Sequence, residues 1–145
     1  KSLSALNNVQ PGPSAICRVI AFVATFALGI AFSLYVAYSA FLASGAPQTD
    51  LPGVLIFFGA FGVIFGTVGG CFASLFCARR MRWYHIVLGF GVFVVGLPFT
   101  QNPNYSAAAK IIAVIAAEQL IATLLIGGLV GKLTGQARSS IEELP

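Results

Sequence analysis

The sequence predicts an all-α integral membrane protein, a four-transmembrane-helix antiparallel bundle with short loops. Hydrophobic residues make up 58% of its 145 positions and charged residues only 8%, where a soluble domain carries charge on roughly a quarter of its residues. The mean hydropathy is +0.93. The apolar residues also gather into four runs, at 16–43, 52–78, 83–100 and 107–133. Each is near or above the roughly 20 residues that cross about 30 Å of hydrocarbon.

The whole chain, 1–145, reads as one transmembrane domain. Residues 1–14 hold Asn7, Asn8, Gln10 and the turn-forming Pro11, Gly12 and Pro13, an irregular lead-in. The apolar run after Arg18 is far longer than the roughly 7–15 apolar residues of a signal-peptide core, so the first span is expected to be retained. Polar or turn-forming breaks at 44–50, 79–82 and 101–105 separate the spans. The third span is the shortest and stops near Pro98. After the fourth, 134–145 reads as a short polar tail. Short connections favour an up-down arrangement.

Orientation follows from the basic residues. Lys1, Arg18, Arg79, Arg80, Arg82, Lys132 and Arg138 fall on one side of a four-span chain, and only Lys110 on the other. Loops rich in lysine and arginine stay on the cytoplasmic side, so both termini are expected there, or in the equivalent compartment of an organelle. Trp83 and Tyr84 at one interface and Tyr105 at the other suit an aromatic belt. The net charge of +4 does not signal nucleic-acid binding, because the basic residues mark span ends rather than a stripe among soluble aromatics.

The second span carries the strongest packing signal. Gly59, Gly62, Gly66 and Gly69 or Gly70 recur every three or four residues, with Ala73 and Cys77 continuing the face. In lipid such a groove admits a neighbouring backbone to close range, where dispersion contacts hold it. Gly127, Gly131 and Gly135 repeat the device on the fourth span, and Gly89 and Gly96 more sparsely on the third. Packing within the chain explains these glycines; a second subunit, or a flat cofactor such as a pigment or quinone, is the alternative occupant.

Glu118 is the candidate functional residue. It stands alone in the uncharged run 111–131, about 16 Å into the fourth span, where an unpaired ionised group costs several kcal/mol. Ser33 and Tyr35 on the first span and Thr67 on the second are expected at comparable depth. Gln119 adjoins it but points about 100° away around the helix. No lysine, arginine or histidine reaches that level, so the carboxyl is expected to be neutral and hydrogen-bonded to a hydroxyl or backbone carbonyl as interhelical glue, or to meet a cation of a partner chain. Prolines lie near span ends rather than at midplane breaks, which argues against a transporter.

The remaining polar residues read more plainly. His85, beside Trp83 and Tyr84, anchors at lipid headgroups; a haem held by two histidines is excluded, since the chain has one. Arg79, Arg80 and Arg82 set topology and meet anionic headgroups, each contributing about 1 kcal/mol. Cys17, Cys71 and Cys77 form no Cys-x-x-Cys pair and read as buried packing residues rather than metal ligands or a disulfide framework. No catalytic motif and no pair of carboxylates suited to acid and base roles occurs. The sequence therefore predicts a non-catalytic subunit of a larger membrane complex, with lipids and other membrane subunits as partners. The competing expectation is a small proton- or ion-coupled carrier or channel centred on Glu118.

Overall fold

The computed structural model describes residues 13–78, 81–96 and 106–142. Four helices run α1 Pro13–Ser44, α2 Leu51–Cys77, α3 Trp83–Gly96 and α4 Ser106–Glu142, and no strand occurs among the described residues. Three of them are long and apolar enough to cross a membrane. The chain is thus an all-α, multi-pass membrane bundle. At 14 residues, α3 is about 21 Å long, short of the hydrocarbon thickness. The remainder of the expected third span, 97–100, lies outside the described residues. The polar tail is corrected in turn: α4 continues through it to Glu142 and, at 37 residues, is about 55 Å long.

Local chemistry sets the ends of the first hairpin. Gly45 takes φ 66°, the left-handed conformation that closes a helix without Cβ strain, and its N–H donates to Leu42 O at 3.4 Å. One 3₁₀ turn at Gln48–Asp50 then leads into α2, whose Pro52 occupies the first turn, where a missing N–H loses nothing.

Along α1, Cys17, Ala21, Thr25, Gly29, Ser33, Ala37 and Phe41 are all buried, one residue in every four. This small-residue ridge meets the glycine face of α2. A Cβ on Gly62 would lie 2.7 Å from Ser33 Cβ, one on Gly66 3.2 Å from Phe26 O, and one on Gly70 2.7 Å from the Phe22 ring. Gly59 lies more loosely, 3.3 Å from Leu34. At Gly59, Gly62, Gly66 and Gly70 the groove is therefore filled by α1 of the same chain, with backbone carbonyls of Gly29 and Phe26 at close range to Gly62 and Gly66.

Helix α4 runs parallel to α2 and repeats the contact from the other side. Gly127 abuts Ala73 O at 3.1 Å and Gly131 abuts Cys77 O at 3.4 Å, again measured from a hypothetical Cβ. Gly135 and Gly96 face open space and contribute no close approach. Helix α3 attaches through rings instead. Phe90 packs on Phe65 and Phe72 with centroids 6.3 and 5.8 Å away, Phe93 stands edge-on to Phe65 at 5.2 Å, and Gly89 makes room for the Phe72 ring.

The cysteine reading requires correction. Antiparallel α1 and α2 bring the first turns of one to the last turn of the other, and there Cys17 and Cys77 are joined in a disulfide across a Cα separation of 6.9 Å. The Thr134 hydroxyl approaches Cys17 Sγ at 3.5 Å. Both cysteines are buried, at 3% and 7% exposure. Cys71 is free and exposed on the outer face of α2.

Candidate functional site

The two adjacent polar residues of α4 face different surroundings. Gln119 points inward and Glu118 outward, because neighbours on a helix diverge by about 100°. Gln119 is fully buried. Its amide fits between Gly29 of α1 and Gly69 of α2; a Cβ on Gly29 would lie 3.1 Å from Gln119 Cδ, and one on Gly69 2.9 Å from its Cγ. Gln119 Nε2 donates to Thr25 O at 3.3 Å. One turn on, the buried Thr123 hydroxyl donates to Gln119 O at 2.6 Å and lies 3.5 Å from Gly69 O. Three helices thus meet at one amide.

Of the residues expected around Glu118, none is brought to it as a hydrogen-bond partner. Ser33 is buried on the α1–α2 interface and its hydroxyl donates to Phe58 O. Tyr35 is 68% exposed on the outer face of α1. The Thr67 hydroxyl turns back on its own helix, donating to Val63 O at 2.8 Å. The physical reason is that depth places residues at one level, whereas rotation about each helix decides whether they face one another.

Glu118 lines an outward-opening groove of about 440 Å³ between α1 and α4, walled by Leu28, Phe32, Val114, Ile121 and Leu125. Leu28, Val114, Ile121 and Leu125 are each 45–66% exposed, so the groove lies on the outer surface of the bundle. Its Oε2 is nonetheless buried and has no hydrogen-bond partner among the described residues. Gln119 Oε1 and Thr25 Oγ1, inside the bundle, are likewise unpaired. Each such atom carries a desolvation penalty that a partner would remove.

At the basic end, Arg82 and His85 are exposed, and the His85 ring lies 4.4 Å from Tyr84. Arg79 and Arg80 lie outside the described residues. No group of three metal-ligating side chains occurs among the described residues. Comparison with protein-family models, curated proteins and solved structures gives no match, so the site is argued from its own geometry.

The place of Gln119 had a sequence signal that spacing from Glu118 obscured. Stepping back by four from Gly131 and Gly127 reaches Thr123 and then Gln119, so the glycine face of α4 itself leads to the buried amide.

Proposed function

We propose that the chain is a non-catalytic membrane subunit that packs into a larger membrane assembly, with a partner's transmembrane helix lying in the α1–α4 groove against Glu118. The observation that carries this reading is the unpaired Glu118 Oε2 in a wholly apolar groove on the outer face of the bundle. None of the described residues pairs with it, and a polar group of a partner helix would satisfy it there. The glycine contacts, by contrast, support the bundle itself and say nothing of a partner.

A carrier centred on Glu118 is the second reading. It is favoured by the unpaired Gln119 Oε1 and Thr25 Oγ1 inside the bundle, and opposed by the close fit of Gln119 between two glycines. Purification of the tagged chain from native membranes separates the two. Recovery as a stoichiometric component of a larger complex is expected; recovery as a homo-oligomer that moves protons or ions in liposomes would replace the subunit with the carrier.

We infer further that both termini face the cytoplasm or its equivalent, from the basic residues at that end of the helices. In a Cys71→Ala background, cysteines introduced at Arg82 and Ser140 should be labelled from the inside and one at Thr49 from the outside. Labelling of Arg82→Cys and Ser140→Cys from opposite sides would defeat this topology.

A further inference from the structure

We propose that the cleft enclosed by the end of α2, the start of α3 and the later turns of α4 is a binding site for one anionic phospholipid. The cleft holds about 470 Å³. Its walls divide by chemistry: Gly127, Gly128 and Gly131 form a smooth floor along α4, and the basic residues Arg82 and Lys132 also line it, with no carboxylate among the described residues that do. A diacyl lipid has the matching division, an anionic phosphate at one end and methylene chains at the other.

Three features make this a built cleft rather than a charged rim. The glycine floor exists because α4 approaches α2 at Gly127 and Gly131, leaving Gly128, one position around, with only the edge of the Phe76 ring at 3.5 Å from a hypothetical Cβ. Trp83 and Tyr84, which line the cleft, stack edge to face with centroids 6.1 Å apart at the level where aromatic side chains meet headgroups. Arg82 and Lys132 come from different elements, separated by 50 positions in sequence, and converge only in the folded bundle. A lysine and an arginine on one phosphate supply directed, charge-assisted hydrogen bonds that a zwitterionic headgroup offsets with its own cation.

The inference does not depend on the partner helix, which would occupy the α1–α4 groove, lined by none of the residues that line this cleft. Its test is native mass spectrometry of the protein released from nanodiscs containing equal phosphatidylglycerol and phosphatidylcholine. One retained phosphatidylglycerol per chain is expected. The double variant Arg82→Gln, Lys132→Gln, altered only at exposed positions, should reduce its retention at least about tenfold. Gly128→Leu fills the cleft while keeping every charge, and it should reduce retention to a similar extent. Gly53→Leu, where a side chain enters open space, should retain lipid as the parent does. Equal retention of both lipids, or undiminished phosphatidylglycerol on Gly128→Leu, would overturn the proposal in favour of a diffuse surface field. Displacement of the lipid by soluble glycerol phosphate at millimolar concentration would overturn it in favour of a free-anion site.

Discussion

Gly69→Leu is expected to prevent the bundle from closing. The added side chain would occupy the space of the Gln119 amide and lie 2.9 Å from Thr123 Oγ1 at its first carbon alone, so α4 would have to leave α2. Overpacking of this kind costs about 1–3 kcal/mol, because the buried Gln119 and Thr123 side chains must leave their places. Gly62→Leu should be comparably damaging, since Ser33 Cβ and the carbonyl of Gly29 stand 2.7 and 3.4 Å from the new Cβ. Gly53→Leu and Gly91→Leu, which meet nothing within 4 Å, serve as controls. Thermal unfolding in detergent, followed by size-exclusion recovery, measures the difference. Parent-like melting of Gly69→Leu and Gly62→Leu would show that the helices do not touch as described.

Substitutions at Glu118 should leave the bundle intact and act on assembly. Glu118→Lys places a fixed cation in an apolar groove at membrane depth, a penalty of about 3 kcal/mol on insertion scales, and should abolish recovery of the partner. Glu118→Leu removes a hydrogen bond of roughly 1 kcal/mol and should weaken recovery severalfold. Glu118→Gln keeps shape and hydrogen-bonding capacity, and should assemble nearly as the parent does. Co-purification from native membranes gives the order. Glutamine as damaging as leucine would mean that the partner group is a cation. Normal assembly of all three would remove Glu118 from the interface.

Much of the architecture is legible in the sequence, because apolar run length and small-residue spacing are both local. The helices α1, α2 and α4 follow from their runs, and the glycine face of α2 from its three- and four-residue intervals. The end of α4 is missed because Gln136, Arg138 and Glu142 are polar, and polarity marks where a helix leaves lipid rather than where it stops. The four-residue series from Cys17 to Phe41 on α1 passes unnoticed because its members, two alanines, a glycine, a serine and a threonine among them, carry no single chemical label. The Cys17–Cys77 bridge is hidden for another reason: sequence brings both residues to one end of the bundle, but only the rotation of α1 and α2 decides whether their side chains meet. The same rotation separates Glu118 from Ser33, Tyr35 and Thr67, and brings Gln119, dismissed by its angle from Glu118, to the centre.

The seating of Gln119 bears on how the helices find their correct alignment. A smooth small-residue seam is permissive, because sliding one helix along another by a turn, about 5.4 Å, replaces one glycine contact with another of similar shape. An amide that needs Gly29 on one side, Gly69 on the other and the Thr25 carbonyl within 3.3 Å cannot follow such a slide. Shifted by one turn, α4 would press Gln119 against Thr25 or Ser33 on α1 and against Phe65 or Ala73 on α2. One polar residue therefore acts as the register pin of three helices, and the seam can be uniform because the pin is not.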